Sequence, residues 1–371
     1  MPNGLANHPG WGRQYTYGES RVGHEAQTYQ RVPTVLYTDS LAFGAASGLG
    51  NATLTRVQDL RNDTQYVMEV DAVGFSLADA FAGVADESLS QIGVSLSDLN
   101  REIPFFQRST ATDSGITVPG TELFVRPSCL VDLASNFYQG LPGPGDVLQW
   151  SGTKWSLRYP LLLPPGGTIG CRAFAYVARA QTISIALIGS LLIPNLKGPI
   201  GDAAEALGHP WQVPPQYRGD ILGFEWVPYV LYSENAGTAG GDTYPEMDLR
   251  NMSPYDMVIY EMAFYSSLLN ASSPSSATLP SIKVIDAARN VPWMKDSQQI
   301  SRFFPGMTNR NAVSNQSPQW FMTKWDLGPG TILPAGEKLR AVVQTASSGI
   351  LGLAFIGALQ RPVHEGTVYA D

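Results

Sequence analysis

The chain has 371 residues, of which 44% are apolar and only 15% charged, with a formal net charge of −8. That charge excludes nucleic acid as the main partner, because phosphate binding needs a clustered basic surface and no run of Lys or Arg occurs. Gly 37 and Pro 27 favour many short strands joined by turns over long helices, and a surface this poor in charge suits a subunit that neighbours cover.

Residues 1–31 carry few aliphatics and are rich in Gly, Asn, Gln, Tyr and His. Such a segment cannot bury enough surface to fold alone, so it reads as an extended arm laid on a partner. Its candidate interface residues are Trp11, Tyr15, Tyr17 and Arg21. It lacks the charged-then-apolar pattern of a secretory signal, which points to synthesis in a cytoplasm.

Residues 32–194 read as a first β domain. Alternation of period two marks residues 67–75, 169–177 and 183–187, with shorter strand candidates at 53–57, 122–126 and 148–157. Residues 76–106 differ: Ala- and Ser-rich, with S-L-S-D-L-N-R-E-I reading as a short capped helix. Cys171 lies in phase with Ile169, Ala173 and Val177, which predicts a free core thiol; neither it nor Cys129 calls for a disulfide. The longest apolar stretch, residues 183–193, is too short to cross a bilayer.

Residues 195–223 are a linker, with prolines at 199, 210, 214 and 215 stopping regular structure. Within it residues 201–208 predict a short helix, with Asp202 as N-cap, Glu205 at the capping-box position and Gly208 as the stop. Trp211 and Tyr217 are its candidate interface residues, since aromatics near linkers often become anchors. Arg218-Gly219-Asp220 reads as a turn. Residues 224–362 form a second β domain, with strands expected at 227–232, 257–265, 281–285, 320–327, 338–344 and 350–360. Residues 363–371 are a tail.

The two domains repeat one another. V-P-T-V-L-Y at Val32 returns as V-P-Y-V-L-Y at Val227, and L-R-N at Leu60 returns at Leu249. T-K-W-S-L at Thr153 returns as T-K-W-D-L at Thr323, each followed by L-P-x-G. A-L-I-G closing at Pro194 returns as A-F-I-G closing at Pro362. Four ungapped blocks hold 23 identities in 49 positions, where chance supplies roughly 3, so the chain is an internal duplication. The offset falls from 189 at Leu60 to 170 at Thr153, placing 19 extra residues of the first copy between those blocks, where residues 76–106 read as a copy-specific insertion suited to specialised contacts. Each copy holds six to eight short strands, and the expected product is a two-sheet sandwich.

Catalysis finds no support. His8, His24, His209 and His364 all fall outside the repeated cores, and no nucleophile elbow, zinc motif or P-loop occurs. No catalytic, metal or cofactor site is expected. Trp155 and Trp325 are repeat equivalents and read as packing anchors; a tandem carbohydrate-binding protein would instead expose them.

In each copy a Trp-bearing strand leads to L-P-x-G, an alternating strand, a polar loop and an apolar strand closing with I-G. This resembles the last strands of viral jelly-roll domains, and two in tandem resemble the double jelly-roll major capsid proteins. The resemblance covers residues 32–362 and implies an all-β fold of two tandem jelly-roll sandwiches, with short helices in loops and linker. It implies a non-enzymatic virion protein, made in the host cytoplasm, whose three chains form a pseudo-hexagonal capsomer. Its implied partners are further copies of itself, other virion proteins and an internal membrane. A head-decoration, fibre-base or tail component of a tailed phage is the alternative with the same fold.

Overall fold

The computed structural model describes residues 29–39, 41–43, 56–79, 92–108, 124–127, 130, 150–175, 181–194, 224–236, 247–266, 281–287, 289–294, 298–299, 324–344 and 350–362. The first half carries β1 (Tyr29–Tyr37), β2 (Leu41–Phe43), β3 (Arg56–Arg61), β4 (Val67–Asp79), β5 (Ile92–Asp98), β6 (Ile103–Pro104), β7 (Phe106–Arg108), β8 (Trp150–Leu163), β9 (Thr168–Ala175) and β10 (Gln181–Pro194). The second carries β11 (Phe224–Ala236), β12 (Met247–Arg250), β13 (Met257–Ser266), β14 (Ser281–Asp286), β15 (Val291–Pro292), β16 (Gln298–Gln299), β17 (Trp325–Leu333), β18 (Lys338–Gln344) and β19 (Ile350–Pro362).

Among the described residues, and setting aside the short β2, β7 and β16, each half has eight strands, and both halves pair them identically. The first half forms sheets β1-β10-β4-β8 and β3-β9-β5-β6; the second forms β11-β19-β13-β17 and β12-β18-β14-β15. Counting strands within a half, these orders are first-eighth-third-sixth and second-seventh-fourth-fifth. That is a long antiparallel hairpin rolled up on itself, the jelly roll. Its faces follow from period-two patterning, with one shift of phase where the register slips at Asp71: Met68 and Val70, then Val73 and Phe75 of β4, and Ile183, Ile185 and Leu187 of β10 all enter the core.

Cys171 of β9 is fully buried and free, as its phase predicted. Burial above all, with the nearby Asp59 charge added, pushes its thiol up to about 12, so it stays protonated and unreactive.

The predicted helix in S-L-S-D-L-N-R-E-I is wrong. Residues 92–98 are β5, and a tight turn then leads into β6. Asp98 caps that turn, accepting from the amides of Asn100 and Arg101 at 3.0 Å each and pairing with the Arg101 guanidinium. Asp286 does the same for Arg289 in the second half, and Arg289 then reaches the Ile332 carbonyl as Arg101 reaches that of Leu162. The next residues, Glu102 and Asn290, both take positive φ, at 56° and 53°. The offset here is 188, so 18 of the 19 extra residues lie after β6, between Pro104 and Thr153, and not in residues 76–106. β1 begins at Tyr29, so residues 29–31 are strand and not arm. The segment 201–208 lies outside the described residues.

Two repeated blocks turn out to be halves of one clasp. Asn62, fully buried, donates through Nδ2 to the carbonyls of Tyr66, Leu163 and Pro164 at 2.8–3.1 Å. Its backbone closes on the same turn, with its amide on Gly167 at 2.9 Å and its carbonyl taking Gly166 at 2.8 Å. Asn251 repeats every bond toward Tyr255, Leu333 and Pro334. The L-R-N and L-P-x-G blocks therefore recur because each needs the other.

The outer face of the β12–β18 pair carries Asp248 between Lys338 and Arg340, at 2.6 and 3.2 Å. Partial burial pushes this carboxyl up, but hydrogen bonds and charge from Lys338 and Arg340 outweigh it and hold the carboxyl below its ordinary value. Its contribution is thus present above the unfolded value of about 3.9 and is lost as pH falls through the folded one. Acid titration of Asp248→Asn should lose that step; the same acid midpoint as the parent would contradict it.

Candidate assembly interface

The sixth strand of each half bulges. Residues 157–160 of β8 stand opposite Asp71 alone, and residues 327–330 of β17 stand opposite Tyr260 alone. Surplus residues in one strand leave the ladder and project from the sheet. In the first half they read L-R-Y-P, and they project onto the second half.

Arg158, 8% exposed, donates to both Asp326 carboxylate oxygens, at 3.0 and 3.1 Å. It also donates to the Gly328 carbonyl, and its guanidinium lies 4.9 Å from the Tyr260 ring centroid. An exposed ion pair contributes little, but one with a buried Arg, whose Nη2 reaches both carboxylate oxygens while Nη1 holds the Gly328 carbonyl, and with a ring beneath it contributes more. Tyr159 stacks on Trp226 at 4.1 Å with planes 9° apart and meets Tyr260 edge-on at 5.9 Å. Full burial, with the Glu261 charge added, raises the Tyr260 hydroxyl well above its usual value against the opposing Arg158 charge.

A second contact comes from the segment that only the first copy has at this length. β7 leaves the first half and pairs parallel with β11, with the Val230 amide donating to the Phe105 carbonyl at 2.8 Å. Phe106 packs on Trp155 at 5.8 Å between centroids. Trp155 is fully buried, and its indole N–H meets no acceptor among the described residues, so it is a packing anchor and not a sugar platform. Trp325 is half-buried against the core. The halves are thus welded by a bulge and a borrowed strand.

The same surfaces recur unburied on the far sides of the chain. Val35 is 49% exposed and Tyr37 68%, whereas their equivalents beside β7, Val230 and Tyr232, are 0% and 1%. In the second half Val291 is 51% and Ile332 46% exposed, whereas Ile103 and Leu162, which flank the weld in the first half, are 8% and 4%. The first pair lies on the β1 edge, the second on β15 and β17. Each half therefore shows the complement of what the other has buried.

The sequence-predicted interface residues Trp11, Tyr15, Tyr17, Arg21, Trp211 and Tyr217 lie outside the described residues, as do Arg218-Gly219-Asp220 and the four histidines. Among the described residues no group of three or more His, Cys, Asp or Glu is placed to hold a metal ion. The residues that form the weld were not singled out from sequence. The signal available was a departure inside a repeated block: Arg158-Tyr159 stands where the second copy has Gly328-Pro329.

No protein-family model matches the chain, and no curated protein matches it by sequence. Among solved structures it is similar to the STIV MCP, at 9% identity and a TM-score of 0.49, covering 90% of this chain and 99% of that one. A structure of Sulfolobus Turreted Icosahedral Virus gives 9% and 0.48, covering 93% and 94%. The major capsid protein P2 of bacteriophage PM2 gives 8% and 0.39, covering 89% and 97%. What assigns the fold is the strand order itself, present twice. The chain is a double jelly roll.

Proposed function

We propose that the chain is a non-enzymatic shell subunit of a virion, a major capsid protein whose three copies close into a pseudo-hexagonal capsomer. The observation that carries this is the mismatch in burial between repeat equivalents: Val35 and Tyr37 at one side of the chain, Val291 and Ile332 at the other. A head-to-tail contact of this kind propagates until rotation closes it into a ring. Two similar domains per chain give six similar sides when three chains close. Neighbouring rings and other virion proteins are the partners such a capsomer would meet.

The joint between chains would not copy the weld within them. Arg31 and Asp71 occupy the places of Trp226 and Tyr260, and the incoming bulge carries Gly328-Pro329 instead of Arg158-Tyr159. The internal weld is therefore the permanent contact, and the joint between chains the one formed on assembly.

Solution mass by light scattering tests the reading. The expected species contains three chains. Tyr37→Asp with Ile332→Asp should reduce it to one chain with an unchanged circular dichroism spectrum. An uncompensated charge in a buried joint costs about 3 kcal/mol or more, a loosening beyond 100-fold. A parent chain that stays single at every concentration overturns the capsomer.

A further inference from the structure

We infer that the two halves depend on each other in one direction only: the first half holds its fold unaided, and the second holds its own only against the first. This dependence belongs to the single chain and stands apart from the ring.

A sheet with one wet face alternates buried and exposed residues, whereas a sheet covered on both faces shows unbroken burial. The first half follows the first pattern. Pro33, Val35 and Tyr37 of β1 are exposed, and Ser184, Ala186 and Ile188 of β10 are half-buried, while Ile183, Ile185 and Leu187 enter the core. The second half follows the other. Residues 227–233 of β11 and 352–359 of β19 are buried without a break. On the outer face of that sheet lie Val230, Tyr232, Ala354, Ile356 and Tyr260, each at most 1% exposed.

The residue types agree with the burial. Where the first half carries Arg31, Glu69, Asp71 and Ser190, the second carries Trp226, Val258, Tyr260 and Ala358. Arg31 pairs with the buried Glu69 at 3.0 Å, so the first half closes over its own carboxylate. The second half has only apolar and aromatic groups at these places, and the first half lies on them. Tyr159 meets Trp226 and Tyr260, Arg158 lies over Tyr260, and β7 runs along Val230 and Tyr232. Without that cover, an apolar face three strands wide would meet water, a surface that single soluble domains rarely show.

The reverse loss is smaller. Removing the second half uncovers β7 and the β8 bulge, at the margin of the first half. It spares β1, β10 and β4, whose strand pairings all lie within the first half. The order of the chain suits this dependence, because the half that needs no template is the one synthesised first.

Hydrogen exchange in rising denaturant tests it, on the full-length chain kept single by Tyr37→Asp with Ile332→Asp. If no state holds the second half without the first, the amides of β13 and β19 must open more readily than those of β4 and β10. Their protection should be about tenfold lower or less. Gly189→Ala, placed in β10, should strip protection from β13 and β19 as well as from β4 and β10. Gly357→Ala, placed in β19, should strip β13 and β19 and leave β4 and β10 within about tenfold of the parent. Protection in β13 and β19 equal to or above that in β4 and β10 overturns the inference. So does a second half that survives Gly189→Ala, or a first half lost with Gly357→Ala. Should Gly189→Ala prove insoluble, the denaturant series decides without it.

Discussion

Gly189→Ala is expected to unfold the first domain. A Cβ at Gly189 would lie 1.8 Å from the Glu69 carbonyl oxygen and 2.9 Å from the Val70 Cα, all of it backbone. No rotamer change relieves such a contact. β10 and β4 would have to part where their register already shifts, between Ile188 and Gly189. The cost exceeds about 4 kcal/mol, a large share of a domain's ~5–15 kcal/mol. Gly357 meets the Val258 carbonyl oxygen at 2.2 Å, and Gly357→Ala should act alike on the second domain. Gly74→Ala is the control: the one tight contact of its Cβ would be the Ile188 Cδ1 at 3.2 Å, a side-chain tip that gives way, with Ala186 at ordinary distances of 3.5 and 3.9 Å, at about 1 kcal/mol or less. Denaturant melts of the three variants decide it. If Gly189→Ala melts like Gly74→Ala, the reason offered for the repeated I-G is wrong.

Asn251→Asp should be worse than Asn251→Ala, against the usual preference for the closer isostere. The amide of Asn251 gives its hydrogens to three carbonyls and accepts from the Ser253 amide at 3.1 Å and hydroxyl at 2.7 Å. Alanine leaves those carbonyls without their donor, a loss of about 2–4 kcal/mol. Aspartate removes the same donor and places a carboxylate against three carbonyl oxygens in a fully buried site. Its penalty should shrink as pH falls and the carboxyl takes a proton, which lets it donate again. Thermal melts at neutral and acid pH read both effects. An Asp variant as stable as the Ala variant at neutral pH would mean that water reaches the clasp.

Much of the fold was legible because duplication prints each structural need twice. The I-G inside the eighth strand, the Asn of the clasp and the L-P-x-G turn all recur where one backbone crowds or bonds another. β5 was misread for a local reason. Ile92, Val94 and Leu96 alternate with Gly93, Ser95 and Ser97, a strand pattern, but the following S-D-L-N-R-E imitates a helix cap. Asp98 does cap backbone amides, yet those of a turn, and pairing with β9 decides the matter. The recurrence of D-x-x-R at Asp286 was the sequence signal that this was shared framework and not an insertion. The candidate interface was less legible. Val35 and Val230 sit in V-P-T-V-L-Y and V-P-Y-V-L-Y, which differ at one residue, and the tertiary arrangement buries one and leaves the other exposed.

The rolled hairpin also bears on how such a chain arises. In each half the first and last strands are neighbours: Tyr29 pairs with Pro194, and Phe224 with Pro362. A unit whose entry and exit lie side by side can be copied in tandem without rerouting any strand, and the connection needs only to reach the next unit. Once the copies share one chain, they inherit mutations separately. The bulge of one carries Arg158-Tyr159 while that of the other carries Gly328-Pro329. Six interchangeable contacts around a ring would become three fixed and three negotiable ones, and selection could tune the second kind without loosening the first.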